Sequence, residues 1–210
     1  MESLRLNEQE LRVLGCLIEK QLATPAYYPL SLNSLASACN QKSNRDPVVS
    51  FSEQEVERAL SALRDKGLAA RIRSADSRVD KYGHQVGDVL DISLQETAIM
   101  AELMLRGPQT PGELKQRASR MVMLNSLEEV HAALDSLIAQ GLVLRHERQP
   151  GRKENRYSHL MGLAGPPAET VQASPVRPPG AEGGLEARVA RLEQEVERLA
   201  RELDIIRRPQ

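Results

Sequence analysis

Clusters of basic side chains are the groups in this sequence with the clearest chemistry, and that chemistry is contact with phosphate. A cluster around a predicted turn in the first half of the chain contains Arg71, Arg73, Arg78 and Lys81. A second cluster, around a predicted turn in the second half, contains Arg145, Arg148, Arg152, Lys153 and Arg156. Basic residues outnumber acidic ones in both, which suits contact with the phosphate backbone of a nucleic acid. An ordinary solvated hairpin is the alternative interpretation.

A polar segment over residues 39–47 precedes a long predicted helix and has no counterpart of equal length in the second half. Its side chains Lys42, Asn44 and Arg45 are predicted to contact a phosphate or another anion at the start of that helix. The alternative is a tight turn in which Asn, Ser and Asp side chains satisfy backbone groups.

The residue types that usually carry catalysis are isolated in this sequence. The four histidines have no cysteine or carboxylate neighbours at metal-ligand spacing: His84, His131, His146 and His159. Cys16 and Cys39 also lack metal spacing, and we expect them to be reduced, half-buried thiols. There is no phosphate loop and no dinucleotide fingerprint. The sequence therefore predicts no enzyme activity, no cofactor and no metal.

Composition and charge bound the class of protein. Of 210 residues, 40% are hydrophobic, 27% are charged and only 2% are aromatic, which favours helical packing of small aliphatic side chains. A formal net charge of −1 excludes a globally basic nucleic-acid binder but leaves local basic patches. No run is apolar enough to span a membrane, and the N-terminus has no signal region. We therefore expect a cytoplasmic protein with no membrane association.

The elements that position these side chains repeat along the chain. A helix pattern that begins at Ser52 recurs 74 residues later at Ser126. In each copy a Ser is followed by Glu three residues on, as in a capping box, and apolar residues then fall on one helix face. Gly67 and Gly141 end the two helices, where a left-handed residue is favoured. A repeat at this distance predicts two copies of one small domain.

Each long helix is preceded by two predicted helices and followed by a predicted hairpin. The short second helices are expected near residues 32–38 and 113–118, and the hairpin strands near 68–72 and 79–86 and near 142–144 and 155–159. Helix, helix, helix, hairpin is the order of a winged-helix domain. The predicted fold is mainly α with small β-hairpin wings, as two tandem winged-helix (helix-turn-helix) domains over residues 4–91 and 92–162.

The two long helices differ in surface charge. The second carries Glu128, Glu129 and Asp135 and no Lys or Arg between positions 126 and 141. Carboxylates near phosphate are repelled, so this helix is not expected to enter the major groove in the usual way. The second domain is instead expected to present a protein-binding or dimer face.

The C-terminal region has two further segments. Residues 163–184 are rich in Pro, Gly, Ala and Ser, which predicts a disordered linker. Residues 185–208 carry a heptad seam, which predicts a coiled-coil-like helix and a parallel homodimer. The seam consists of Leu185, Val189, Leu192, Val196, Leu199, Leu203 and Ile206. The alternative is a lone amphipathic helix docked on the body or frayed in solvent.

Three strings of residues carry a resemblance to a known family. Residues 14–20, 28–33 and above all 40–48, which read NQKSNRDPV, resemble the bacterial YceH family of uncharacterised proteins. The similarity covers about residues 4–160. It implies tandem winged-helix domains, in agreement with the pattern of elements, and it implies no enzyme activity and no catalytic residues.

Two functions follow from the sequence. The first is a dimeric DNA-binding or transcription-regulator-like protein that contacts the phosphate backbone of double-stranded DNA through its basic wings. The alternative is a protein-interaction scaffold in which the winged helices and the C-terminal helix mediate self-association or bind a protein partner. Because a fold does not fix a function, the first rests on local charge.

Overall fold

Six of the seven α-helices in the described residues begin after a residue whose side chain caps the helix. The computed structural model describes residues 4–72, 79–148, 151 and 154–162. The helices in these ranges are α1 (Glu8–Ala23), α2 (Leu32–Cys39), α3 (Glu53–Asp65), α4 (Val86–Leu90), α5 (Leu94–Arg106), α6 (Pro111–Ala118) and α7 (Leu127–Ala139). A 3-10 helix spans Pro25–Tyr27. The protein is thus mainly helical, as predicted.

Five short strands form two small antiparallel sheets in the described residues. They are β1 (Leu30–Ser31), β2 (Ala69–Ile72), β3 (Lys81–His84), β4 (Val143–Arg145) and β5 (Tyr157–His159). The first sheet has the order β1-β3-β2, and the second pairs β4 with β5. Arg71 lies opposite Tyr82 in the first sheet, and Arg145 lies opposite Tyr157 in the second. The basic residues Arg71 and Arg145 therefore occupy equivalent positions.

The predicted element order is confirmed in both halves, with three additions. Helices α1, α2 and α3 are followed by the β2–β3 hairpin, and α5, α6 and α7 are followed by the β4–β5 hairpin. The sequence pattern did not predict the 3-10 helix, strand β1 or helix α4. Each of these is five residues or shorter, too short for a hydrophobic period to become visible.

The capping residues act as predicted, with one difference between the repeats. At α3, Ser52 Oγ accepts the N–H of Glu55, and Glu55 Oε2 accepts the N–H of Ser52 at 2.8 Å. At α7, Ser126 Oγ accepts the N–H of Glu129 at 3.2 Å. The Glu129 carboxylate instead accepts the N–H of Asn125 at 3.0 Å, so the expected reciprocal box is wrong for this copy. In this copy the Glu129 carboxylate thus pairs with the free backbone N–H one residue before the N-cap Ser126.

The repeated helices bury the same four positions. Helix α3 buries Val56, Ala59, Leu60 and Leu63, and α7 buries Val130, Ala133, Leu134 and Leu137. Both helices are followed by a glycine with a positive φ of 72°, at Gly67 and Gly141. This conformation is strained for residues with a Cβ. The shared pattern that revealed the repeat is therefore the pattern that folding requires.

The two halves pack on each other through their first helices, α1 and α5. Gly15 of α1 lies against α5, where an added Cβ would meet Leu105 Cγ at 2.9 Å and Met104 Cβ at 3.3 Å. Leu105 is fully buried. Only a residue without a side chain fits at this crossing of the helices.

Backbone hydrogen bonds join the halves at two further places. The N–H of Asp46 donates to the carbonyl of Leu105 at 2.9 Å, and the N–H of Leu6 donates to the carbonyl of Met161 at 2.7 Å. The described residues all lie within one compact unit. The predicted domain limits, 4–91 and 92–162, stay a prediction.

Several predicted features lie outside the described residues. These are the linker at 163–184, the heptad helix at 185–208 with its seven seam residues, and four of the basic residues, Arg73, Arg78, Arg152 and Lys153. Among the helices that the structure describes, none has the length and apolar character needed to cross a membrane.

Candidate nucleic-acid interface and a buried polar cluster

Helix α3 presents a mixed but partly basic face to solvent. Opposite its buried stripe, Gln54, Glu57, Arg58, Ser61 and Arg64 are exposed. The start of the helix is fixed by its neighbours, because Asn33 Nδ2 of α2 donates to Glu53 Oε1 at 2.8 Å. Its two exposed guanidinium groups, at Arg58 and Arg64, lie in the middle and last turns.

The first hairpin adds two more cations beside α3. Arg71 on β2 is exposed, and its Nη1 pairs with Asp80 Oδ2 at 2.9 Å. Lys81 on β3 is partly buried. Because both members of the Arg71–Asp80 pair are solvated, this ion pair contributes little to stability and exchanges readily for another anion.

The loop at residues 40–47 is held by its own side chains, as the turn interpretation proposed. Asn40 Nδ2 donates to the carbonyl of Phe51, and the N–H of Phe51 donates to Asn40 Oδ1, both at 2.7 Å. Lys42 is exposed at the tip. Asn44 is exposed with a φ of 57°, and its Oδ1 accepts Arg106 Nη1 at 3.1 Å. Of the loop's predicted phosphate ligands, only the Lys42 side chain is an exposed cation.

The predicted phosphate contact by Arg45 is wrong, because the side chain points into the protein. Its guanidinium is 0% exposed and pairs with Glu19, with 2.6 Å between Arg45 Nη2 and Glu19 Oε2. Arg45 Nε and Nη2 also donate to the carbonyl of Ala38, at 3.2 and 2.9 Å. A buried guanidinium whose donors are used in this way cannot reach a phosphate. Arg45 anchors the loop instead.

The basic residues of the second hairpin are placed in different ways. Arg145 and Arg148 are exposed, with 3.5 Å between Arg145 Nη2 and Asn155 Oδ1. Arg156 turns back onto the body, where its Nη2 donates to the carbonyl of Pro108 at 2.6 Å and lies 3.1 Å from Glu113 Oε2. Arg156 is therefore engaged by the protein itself, and only Arg145 and Arg148 present exposed basic side chains among the described residues of this hairpin.

Helix α7 differs from α3 on its exposed face. Counting by the repeat, Ala132 replaces Arg58, Ile138 replaces Arg64 and Asp135 replaces Ser61. With Glu128 and Glu129 also exposed, the outer face of α7 is acidic and has no cation. The exposed faces of α3 and α7 thus differ in charge, whereas Arg71 and Arg145 occupy equivalent strand positions in the two hairpins.

A polar cluster, formed by the buried Glu19, Arg45 and Glu102 and by Arg120, whose side chain is 32% exposed, joins the two halves. Arg120, which follows α6, places Nη2 at 2.6 Å from Glu19 Oε1 and at 2.8 Å from Glu102 Oε1. Glu19 lies on α1 and Glu102 on α5, and both are fully buried. A single guanidinium thus bridges the first helices of the two halves.

Within this cluster, the ion pairs shift the pKa values of Glu19 and Arg45 more than burial does, and in the opposite direction. Burial raises the pKa of the Glu19 carboxyl, but hydrogen bonding and charge from Arg45 and Arg120 lower it below its ordinary value. Burial lowers the pKa of Arg45, but the hydrogen bond and charge of Glu19 raise it overall. Both groups are therefore ionised, as a buried ion pair requires. One signal of this cluster is visible in the sequence, a single acid at Glu102 within the apolar run 98–105.

Two histidines occupy equivalent places at the bases of the hairpins. His84 lies opposite Ala69, and His159 lies opposite Val143. Burial lowers the pKa of His84 to about 4, partly opposed by the charge of Asp88, and burial lowers the pKa of His159 to about 4. Both imidazoles are therefore neutral in the folded protein at neutral pH, as structural rather than titrating groups.

We expect the free energy of unfolding to fall as the pH is lowered from about 6.5 to about 4. In this range the two histidines bind protons in the unfolded chain but stay neutral in the folded protein. Above this range the histidine contribution is fully present, and below it no further change comes from these two groups. Urea midpoints across the range measure the loss. In His159→Phe the fall should be smaller; an unchanged fall would contradict this assignment.

Within the ranges that the structure describes, no group of three His, Cys, Asp or Glu residues is arranged to hold a metal ion. Cys16 and Cys39, which the sequence predicted to be half-buried, are fully buried.

The comparisons with known proteins place the chain among proteins of unknown function. A family model described as "Protein of unknown function, DUF480" matches residues 6–152. A UPF0502 protein of Koribacter versatilis is 50% identical over 200 residues, covering 94% of this chain and 91% of the relative. A UPF0502 protein of Geobacter sulfurreducens is 53% identical over 197 residues, covering 91% and 88%.

A third relative, a UPF0502 protein of Opitutus terrae, is 50% identical over 160 residues, covering 75% of this chain and 70% of the relative. None of these three names states an activity, a ligand or a partner. The resemblance noted in the sequence agrees with these matches at the level of a family of unknown function.

Proposed function

We propose that this chain, which belongs to the DUF480 family of proteins of unknown function, is a dimeric, regulator-like protein that contacts the phosphate backbone of double-stranded DNA through its first half. The observation that carries the proposal is a set of four basic side chains on the exposed face of α3 and on the adjoining hairpin. Arg58 and Arg64 lie on the helix, and Arg71 and Lys81 lie on the hairpin strands.

The order of elements supports a tandem winged-helix fold. In that fold the third helix faces the major groove, and the hairpin lies along the backbone. Helix α3 follows α2 through the loop at residues 40–51 and leads directly into strand β2. In a winged-helix domain with this order of elements, the exposed side chains of α3 and of the hairpin would be the ones that meet DNA.

The charge distribution favours backbone contact over base recognition. The first turn of α3 carries the acids Glu53 and Glu55, and both carboxylates are already engaged, Glu53 by Asn33 and Glu55 by Ser52. The cations lie further along the helix and on the hairpin. Phosphate contacts of this kind position a protein on DNA but do not select a sequence. The proposal is therefore for salt-dependent binding with low sequence preference.

The second half contributes less to DNA contact in this proposal. Its third helix, α7, has an exposed acidic face without a cation, so phosphate would be repelled there. Its role is to support the first half through the α1–α5 contact. Dimerisation is assigned to the heptad segment at 185–208, which lies outside the described residues.

Substitution of one repeat-equivalent arginine at a time tests this division. Arg71→Ala is expected to weaken binding to a mixed-sequence DNA duplex severalfold and to lower the slope of log affinity against log salt by about one, because one phosphate contact is lost. Arg145→Ala, the matched control at the equivalent strand position, is expected to leave affinity and slope unchanged. Fluorescence anisotropy over a series of salt concentrations measures both quantities.

Two results would contradict the proposal: no binding by the unaltered chain at low salt, or equal effects of Arg71→Ala and Arg145→Ala. The alternative function is a protein-interaction scaffold, favoured by the acidic outer face of α7. Absence of DNA binding together with a light-scattering mass above that of one chain would favour this alternative. No catalytic step is part of either proposal.

A further inference from the structure

The two hairpins carry an arginine at the same strand position but give it a different partner. In the first hairpin, Asp80 stands two residues before Tyr82, the residue that lies opposite Arg71. In the second hairpin, Asn155 stands two residues before the tyrosine that lies opposite Arg145. The strand register therefore makes Asp80 equivalent to Asn155, so a carboxylate in one hairpin corresponds to a neutral amide in the other.

The two partners contact their arginines differently. Arg71 Nη1 donates to Asp80 Oδ2 at 2.9 Å, which makes a charged pair. Arg145 Nη2 lies 3.5 Å from Asn155 Oδ1, and the Nδ2 of that amide donates to the carbonyl of His146 at 2.8 Å. Hydrogen bonds between charged groups are shorter and stronger than neutral ones. The charge of Arg71 is therefore partly offset within its own hairpin, whereas the amide leaves the charge of Arg145 unchanged.

The carboxylate beside Arg71 occupies a guanidinium that a phosphate would use. The side chains of Arg71 and Asp80 are 35% and 48% exposed, so an anion in solvent can approach the pair. A carboxylate and a phosphate both accept hydrogen bonds from a guanidinium. A phosphate that binds Arg71 must displace the Asp80 carboxylate or stay close to its negative charge, and both oppose binding. Because the pair is solvated and weak, it lowers the affinity for phosphate without preventing the contact.

We propose that Asp80 regulates the DNA contact of the first hairpin as an internal competitor, which keeps the contact between Arg71 and phosphate weak and readily reversible. This inference rests on the function proposed above and names the group that limits the strength of that contact. Asp80 does not itself bind DNA in this arrangement; it acts through Arg71.

The opposite role for the same carboxylate would be to hold Arg71 in place for phosphate. The second hairpin argues against this role. Arg145 occupies the equivalent strand position beside a neutral amide, so an acid is not needed to place the arginine on the strand. Competition and positioning also predict opposite effects of removing the charge, which makes them separable by experiment.

Asp80→Asn tests the proposal, because it gives the first hairpin the residue that stands at the same place in the second. The variant keeps the shape of the side chain and removes its charge. At low salt, the affinity of the full chain for a mixed-sequence DNA duplex is expected to rise about three- to tenfold, as measured by fluorescence anisotropy. An unchanged or lower affinity, with binding by the unaltered chain intact, would overturn this inference and leave the proposed DNA contact standing.

A double-mutant cycle separates competition at Arg71 from a general effect of net charge. In the Arg71→Ala background, Asp80→Asn is expected to raise the affinity by less than about twofold, because no arginine remains to be released. An equal gain in both backgrounds would assign the effect to net charge and overturn the proposal. Absence of binding by both the unaltered chain and Asp80→Asn would overturn the proposed function and this inference with it.

The second hairpin supplies a matched control. Asn155→Asp places a carboxylate beside Arg145 and changes the net charge by the same amount in the opposite direction. This variant is expected to leave the affinity for the duplex unchanged, because the second half contributes less to DNA contact. A loss of affinity as large as the gain in Asp80→Asn would again point to net charge rather than to Arg71, and would contradict the role assigned to Asp80.

Discussion

Replacing Glu19 with glutamine is expected to lower the free energy of unfolding by about 3–5 kcal/mol, the cost of leaving a buried guanidinium without its counter-charge. The Glu19 side chain is 1% exposed, and that of Arg45 is 0% exposed. Glutamine keeps the shape and one hydrogen-bond acceptor but removes the negative charge that lies between Arg45 and Arg120. Urea denaturation followed by circular dichroism measures the loss.

The matched control for this substitution is Asp80→Asn. Asp80 also pairs with an arginine, at 2.9 Å, but the side chains of Asp80 and Arg71 are 48% and 35% exposed. Removing a solvated pair is expected to cost less than about 1 kcal/mol. A similar small loss in Glu19→Gln would show that the polar cluster does not hold the halves together as its geometry indicates.

The second large effect is expected from Gly15→Ala, which should lower the free energy of unfolding by about 1–3 kcal/mol through overpacking. The added Cβ would lie 2.9 Å from Leu105 Cγ and 3.3 Å from Met104 Cβ. Leu105 is fully buried, and the clash falls on its Cγ as well as on its Cδ2, so turning the end of the side chain does not relieve it. This clash outweighs the gain of about 1 kcal/mol that alanine brings to a helix interior.

Gly112→Ala is the control for helix propensity. Gly112 lies in α6, where an added Cβ would meet no atom closer than 3.9 Å, so the substitution is expected to stabilise the protein by up to about 1 kcal/mol. A double-mutant cycle with Leu105→Ala then isolates the clash, because Gly15→Ala should cost less once Leu105 is shortened. If Gly15→Ala stabilised the protein as much as Gly112→Ala does, the close approach of α1 and α5 would be refuted.

The order and type of the larger elements could be predicted because their signals are local. A cap residue, an apolar stripe and a terminal glycine all lie within about four turns of one helix, as at Ser52 and Gly67. The hairpins were found in the same way. Elements such as β1 have only two residues, and their formation depends on the partner strand β3. Tertiary pairing of this kind leaves no periodic trace in the sequence.

Within the candidate site, the sequence predicts the placement of a basic side chain correctly only where that side chain is exposed. Arg71 and Lys42 were assigned to the surface by their type and by the turns next to them, and the structure exposes both. Arg45 has the same residue type and a neighbouring position, but its partner Glu19 lies 26 residues earlier. Whether a guanidinium faces solvent or a buried carboxylate depends on that distant contact. The sequence of the loop at residues 40–47 does not contain this information.

The bridge from Arg120 to both Glu19 and Glu102 limits how this protein can evolve. One guanidinium contacts a carboxylate from each half, so a half inherited alone would lose this bridge and would expose the bare flank of α1 or α5. The halves are therefore not exchangeable modules. After duplication, the shared interior constrained both copies, whereas the outer faces of α3 and α7 were free to diverge in charge.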